Sequence, residues 1–555
     1  MALAQACRLY GRIPRMTGRE RVLSAMALTS LDRTPWVPFV GCHGGALIHA
    51  KAHEYLRSDE AMVLGSREAI RRYSPDGLPV AFDLQIEAEA LGCDLAWSDE
   101  NPPAVSSHPL ASGATLGSLR IPEFHEGRIP IAMAVARTLR REHPDLALYG
   151  LVTGPFTLAM HLQGTDLFLN MLEDEAGVDR LLAFTRDVAL RMADGYIEAG
   201  CDVIALVDPM TSQIAPHQFR RFVSEPVAAV FRHVAGRGRK NSFFVCGHAQ
   251  QNIPDMCTTR PDNISIDENI PLDFVRDMCL KERISFGGNL PLTVGLLLGT
   301  PADAQRSAME CIEIGGPSGF ILSPGCDLPY ATPPANLEAV AELVANSYRR
   351  EVARALGRSP TSTNLLDMSD YGKAEKVIVD VITLDSEACA PCQYMVEAVK
   401  RVAPEFEGIV EWREHKIKHP DSVQFMTSLM VKNVPTICID GKIAFVSQIP
   451  PKEELVAAIR RRIFEKLHYK IKAKKGELLV LGKTAEECAA LKAGIQKAVR
   501  ELGTDIPVIE ITDEKRIWSY GISRTPAVVA VQYKIKAEGQ QPHTVALKEW
   551  IKELQ

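Results

Sequence analysis

The stretch FFVCGHAQQNIPDMCTTRPDNISIDE, residues 243–268, sets the reading of this chain. It opens as an apolar, β-prone run and reaches a thiol and an imidazole two residues apart, Cys246 and His248. It closes on a second run, NISIDE, that ends in Asp267 and Glu268. Eighty residues beyond Cys246, another apolar run, GFILSPGC, delivers Cys326 followed by Asp327. In a barrel of parallel strands, residues that follow a strand fall on the rim where active sites sit. Two thiolates joined by a His or a carboxylate would make a zinc site with three protein ligands and a fourth position open. The same cysteines are equally of the type that only packs, since free Cys is among the most buried residue types.

Working outward, the segment from about 17 to 350 alternates short apolar runs with longer helical patterns. LALYGLVTGPF is followed by a helix around Leu167–Ala199, then by CDVIALVDPM and a helix around His217–Ala235. NSFFVCG, NISIDE, ISFGGNL and GFILSPGC complete the series. Alternating strands and helices imply βα units and a parallel sheet. Roughly 330 residues with about eight such units fit a (β/α)8 TIM barrel. A doubly wound open sheet competes, but no strand–GxGxxG–helix phosphate loop is present; GCHGG at Gly41–Gly45 lacks the spacing.

Residues 351–373 read as a linker, rich in Ser, Thr, Pro and Asn at its end. Residues 374–467 then read β-α-β-α-β-β-α, with a closing helix from about Lys452 to Lys466. Residues 475–555 repeat that order and end in the helical KEWIKEL. The chain is thus expected to be an α/β protein: a TIM barrel followed by two small α/β domains.

The 555 residues carry a net charge of −6, and no basic stripe with interleaved aromatics appears, which argues against nucleic acid as a partner. No apolar run approaches the roughly 18 residues of a membrane span, and residues 1–16 lack a signal-peptide core. The expectation is a cytoplasmic protein without a membrane partner. Thirteen cysteines at irregular spacing are not a disulfide framework. In a reducing compartment they suggest metal or redox chemistry, or packing.

Cys389-Ala-Pro-Cys392 lies between a strand and a helix. A thiol at the helix N-terminus should have a lowered pKa; Cys389, expected to be the more exposed, would be the attacking sulfur and Cys392, inside the helix, the resolving one, with a structural or metal-binding CxxC as the other reading. With Val434-Pro435-Thr436 some way on, residues 374–467 resemble the thioredoxin family, which places a cis-proline opposite its CxxC. Residues 475–555 resemble it too, through Arg524-Thr525-Pro526-Ala527. There the small glutaredoxin-like members carry G-x-x-C-x-x-C, and this chain reads Gly482-Lys-Thr-Ala485-Glu-Glu-Cys488. With one thiol left, the unit is expected to be degenerate, structural or docking.

Residues 17–348 resemble the uroporphyrinogen decarboxylase superfamily, in its cobamide-dependent methyltransferase branch. The likeness rests on Phe82-Asp83-Leu-Gln-Ile-Glu87-Ala-Glu89, Gly154-Pro-Phe-Thr157, Gly200-Cys-Asp202 through Asp208-Pro209, and Cys246-Gly247. Ile266-Asp-Glu268, Gly288-Asn289-Leu and Gly319 through Pro329 complete it. Decarboxylases carry an arginine-rich loop where this chain reads WVPFVGCHGG, so the carboxylates of a uroporphyrinogen would lack partners. In the methyltransferase branch a His-x-Cys…Cys pattern binds zinc, which holds a substrate thiol as thiolate to receive a methyl group from a corrinoid protein. Both cysteines are kept here, but the His position is Phe244. Two outcomes stay open: His248, or Glu268 or its neighbour Asp267, takes the vacant place beside Cys246 and Cys326 as the metal set, or zinc binding is weakened or lost and the domain takes a different methyl donor or acceptor.

Asp208 and Glu87 are expected as catalytic carboxylates beside Cys389 and Cys392, with helix capping or an Arg partner as their other reading. His43, Asp83, Asn289 and Pro435 are expected to line the cavity, and His161 to be a core histidine. The resemblance implies methyl transfer between a corrinoid protein and a thiol or tetrahydrofolate. The fused CxxC domain would keep the active-site thiols, the corrinoid partner or the acceptor thiol reduced, with a thioredoxin reductase as a further partner. The competing readings are a thiol-disulfide oxidoreductase with the barrel as binding platform, a metal-free folate-dependent transferase and, less favoured, a uroporphyrinogen decarboxylase.

Overall fold

Runs such as ALYGLVT and VIALV carry apolar residues on both faces, which suits strands buried on both sides and little else. The computed structural model of the chain describes residues 16–355, 366, 368, 371, 376–387, 389–473, 476–503, 506–520 and 524–531. Much of the expected linker and the expected terminal helix KEWIKEL lie outside these residues. The described chain divides into two compact units, 1–455 and 456–555.

In the first unit seven parallel strands form one sheet in chain order. They are Gly77–Pro79, Ala147–Thr153, Val203–Val207, Lys240–Val245, Asn263–Ile266, Ser285–Leu290 and Phe320–Pro324. The ring closes through an eighth position that is one bridge rather than a strand. Trp36 bridges Leu322 in parallel, and the Trp36 carbonyl accepts the N–H of Asp76 just before the first strand.

Side chains alternate across this sheet as the pleat requires. Ile204 and Leu206 face the outer core against the helices, as do Phe243 and Val245. Val203, Ala205, Val207 and Phe244 face an inner core with Val37, Phe39, Phe82, Tyr149, Leu151 and Ile321. The period that turns Phe244 inward turns Cys246 inward as well, and Cys246 and Cys326 both rest on this inner cluster.

The helix expected around Leu167–Ala199 is two helices, Asp166–Glu173 and Glu175–Ala199. Asp174 leaves helical geometry (φ −139°, ψ 64°), and its carboxylate caps the second helix by accepting the N–H of Gly177. That helix stops at Gly200, whose φ of +103° suits only glycine. The helix expected at His217–Ala235 begins with the short α-helical turn Pro216–Gln218, passes through a π-helical turn, Phe219–Val223, and continues as Ser224–Gly236.

The same unit holds a four-stranded sheet. Val377–Thr383 pairs in parallel with Val410–Lys416 and antiparallel with Thr436–Ile439, and Lys442–Val446 lies outermost. Helix Ala390–Val402 follows the first strand, and Pro435 is joined through a cis peptide. This is the thioredoxin-like arrangement expected of the CxxC segment.

The second unit, taken by itself, has Glu477–Leu481 between parallel Val508–Ile511 and antiparallel Ala527–Val531, with a cis Thr525–Pro526 peptide. Its Cys488 is fully buried in helix Ala485–Glu501 against the carbonyl of Val480. Among the described residues no helix is long and apolar enough to cross a membrane.

Candidate active site at the barrel mouth

The carboxyl ends of the barrel strands and the CxxC segment enclose one cavity of about 260 Å³. The barrel contributes Cys246, Asp267, Glu268 and Cys326; the thioredoxin-like part contributes Cys389, Cys392 and Pro435. The two parts are one packed body here. Tyr394, two residues past Cys392, is 0% exposed and belongs to the barrel's outer core. Its hydroxyl donates to the carbonyl of Met160 (3.2 Å), and its ring stacks on His108. Gln393 donates to the carbonyl of Val105 (2.6 Å), Asn101 donates to Glu387 (3.0 Å), and the N–H of Ile449 donates to Gln213 (3.1 Å).

Cys246 and Cys326 meet as the sequence expects, with the thiol of Cys246 donating to the sulfur of Cys326 at 3.0 Å. That bond, together with burial and the charges of Cys326 and Asp267, pushes the Cys246 thiol well up. The Asp267 carboxylate accepts the N–H of Gly247 (2.6 Å) and the side-chain amide of Asn269 (2.7 Å), so it pins the loop that carries Cys246. Burial pushes Asp267 up to about 6. Burial, and then the neighbouring charge of Asp267, push Glu268 up to about 8. One Glu268 oxygen accepts the N–H of Leu292 (3.0 Å); the other is buried without a hydrogen-bond partner.

A third ligand does not join the thiols. His248 does not line the cavity, and its Nδ1 is buried without a partner. Phe244, where the resemblance calls for His, packs its ring at a tilt against Phe39 (5.1 Å) and edge-on against Phe82 (5.9 Å) in the barrel interior. Among the described residues no group of three or more His, Cys, Asp and Glu side chains is placed to hold a metal ion. The expected zinc set of Cys246, Cys326, His248 and Glu268 is therefore not assembled, and two sulfurs in contact do not make a three-ligand site.

The other expected residues divide. Asp83 lines the cavity, held from behind by the buried Arg128, which also donates to Glu89 (2.6 Å). Pro435 lines it as well. Asp208 does not: it is 0% exposed and accepts from Thr157 N (2.8 Å), Thr157 Oγ1 (2.6 Å) and Phe156 N (3.2 Å), capping helix Pro155–Gln163. Gly154 allows this approach, because a Cβ there would stand 2.2 Å from the Asp208 side chain.

Glu87 accepts from Thr153 N (3.0 Å) and Oγ1 (2.8 Å), and burial pushes it up to about 7. His43 lies behind the wall between Tyr73 Oη (2.7 Å) and the carbonyl of Tyr330 (3.1 Å), with burial lowering it to about 4. Its neighbour Cys42 lines the cavity instead. Asn289 donates to the carbonyls of Asp267 (3.2 Å) and Ile270 (3.0 Å), so it positions the acidic loop from outside. His161 is buried, as expected of a core histidine.

Cys389 is the more exposed thiol of the CxxC pair, and Cys392 is buried. The lowered pKa expected at the helix N-terminus is not found. Cys389 is pushed well up by its hydrogen bond with Cys392, then by burial, and by the charge of Asp267 across the cavity. Sequence reasoning passed over Asp327, Lys418 and Lys432, which also line the cavity. Asp327 adjoins Cys326 in sequence, a signal that was available; the two lysines come from a domain nothing local ties to the barrel.

A family profile described as uroporphyrinogen decarboxylase (URO-D) matches residues 17–347, and one described as thioredoxin domain matches 378–460 and 477–552. The chain belongs to the uroporphyrinogen decarboxylase family and sits within it beside the corrinoid-dependent methyltransferases. It is similar to the methylcobamide:CoM methyltransferase MtbA of Methanosarcina acetivorans, 28% identical over 346 residues, 60% of this chain and 98% of that protein. It is similar to the uroporphyrinogen decarboxylase of Thermus thermophilus at 27% over 283 residues, 50% of this chain and 81% of that one. A solved methyltransferase from Methanosarcina mazei shares the fold, with a TM-score of 0.56 at 22% identity over 60% of this chain and 100% of its own.

Proposed function

We propose that this protein transfers a methyl group from a corrinoid protein to a small thiol held in the cavity between Cys246, Cys326 and Glu268. The observation that carries the reading is Glu268, a carboxyl group with an unpartnered oxygen in a cavity walled by thiols. Its affinity for protons, up at about 8, is close to that of a thiol, which is the match a general base for thiol deprotonation needs. In this reading the acceptor S–H gives its proton to Glu268, and the resulting thiolate attacks the methyl carbon of the donor. The methyl–cobalt bond breaks and its electron pair stays on cobalt. The named activity of the related MtbA supports the choice of donor and acceptor.

The small volume supports a small acceptor and disfavours decarboxylation of a macrocycle, as does a lining without arginine among the described residues. Zinc, which the family resemblance implies, has no complete ligand set among these side chains, and no step is assigned to it. A corrinoid protein expected over the rim would meet the CxxC domain already packed there, so the two would occupy the mouth in turn. Incubation with methylcobalamin and 2-mercaptoethanesulfonate tests the reading by mass detection of the S-methyl product. Product above the uncatalysed rate is expected. Its absence with that thiol, and with tetrahydrofolate in its place, would remove methyl transfer from the account.

A further inference from the structure

Two pairs of thiols share one cavity, and only one of them has the sequence signature of a redox pair. Cys246 and Cys326 are 3.0 Å apart, so about 1 Å of closure would bring them to the disulfide bond length of roughly 2.05 Å. No third metal ligand among the described residues holds them apart or occupies them. Cys389 lines the same space and is near enough that its charge acts on both sulfurs. Cys392 stands behind it in the first turn of helix Ala390–Val402, and cis-Pro435 lines the same cavity.

We propose that Cys246 and Cys326 form a reversible disulfide that shuts off the barrel site, and that Cys389 and Cys392 of the same chain reduce it. A peroxide or a low-molecular-weight disulfide takes two electrons from the barrel pair and closes it. Cys389 thiolate attacks Cys246, the S–S bond breaks, and Cys326 leaves as thiolate. Cys392 thiolate then attacks Cys389, freeing Cys246 and closing the Cys389–Cys392 disulfide. The two protons of the CxxC dithiol end on Cys246 and Cys326, and an external dithiol returns two electrons to the CxxC pair.

The experiment reads thiols, not methyl transfer, so its result is separate from the fate of the proposed activity. The full chain is oxidised with hydrogen peroxide at low excess and recovered in limiting dithiothreitol. Free Cys246 and Cys326 are counted by differential alkylation and peptide mass mapping. Recovery at least about tenfold slower in Cys389→Ser than in the wild type is expected. In Cys392→Ala, which has no resolving thiol, an unreduced digest should contain a crosslink from Cys389 to Cys246 or Cys326. Equal recovery rates in wild type and Cys389→Ser, or a Cys392→Ala digest lacking that crosslink, would overturn the proposal.

Discussion

Replacing Tyr394 with alanine should release the CxxC domain from the barrel mouth, and the structure sets the size of the effect. The ring is fully buried in the barrel's outer core, and the hydroxyl reaches the carbonyl of Met160. Removing a buried aromatic side chain costs about 3–5 kcal/mol. Because Tyr394 buries its ring in the barrel rather than in its own domain, most of that loss falls on the packed arrangement. At about 1.4 kcal/mol per decade, 3 kcal/mol raises the separated population by roughly a hundredfold or more.

Separation removes burial and the charge of Asp267 from Cys389, two of the causes that keep its thiol protonated. The alkylation rate of Cys389 by iodoacetamide in the fully reduced protein should therefore rise by about two decades. Tyr394→Phe keeps the ring and loses one hydrogen bond, worth about 1 kcal/mol, so its rise should stay under about tenfold. If Tyr394→Ala stays folded and Cys389 reacts no faster than in the wild type, the docking account is refuted.

Two further outcomes are expected. Glu268→Gln should lower thiol methylation by about a hundredfold or more with little change in thiol affinity, measured as kcat against KM; an unchanged kcat would leave the carboxyl without the role given to it. Glu87 has a folded pKa of about 7, above the roughly 4.3 of an unfolded Glu, so its charged form is penalised in the fold. Its contribution is fully present below pH 4 and is lost as pH rises through 7. Glu87→Gln should accordingly remove about 3 kcal/mol of the fall in stability between pH 5 and 8, read as a flatter Tm against pH.

The sequence by itself determined the βα alternation, the thioredoxin-like order and the position of Cys246 and Cys326 at strand ends. These follow from local pattern: strands buried on both faces read as apolar runs, and a two-residue period sends Phe244 and Cys246 inward together. Motif likeness put Asp83 and Pro435 near the site, Asp83 in the loop after strand Gly77–Pro79 and Pro435 immediately before strand Thr436–Ile439. Asp208, Glu87 and Asn289 lay beyond such reasoning. A carboxylate or amide at a strand end can face the cavity or turn back to a backbone N–H, and the choice depends on what packs beside it. For Asp208 that neighbour is Gly154, whose missing Cβ leaves the space.

Only the tertiary structure decided that the CxxC pair faces the barrel thiols. The chain separating Cys326 from Cys389 carries no local pattern that fixes where the second domain rests. Tyr394 fixes it by burying its ring in the barrel's core, a long-range contact paid for by apolar burial. The missing third metal ligand was visible as Phe244. That neither His248 nor Glu268 takes its place is a matter of side-chain direction, which spacing along a chain does not set.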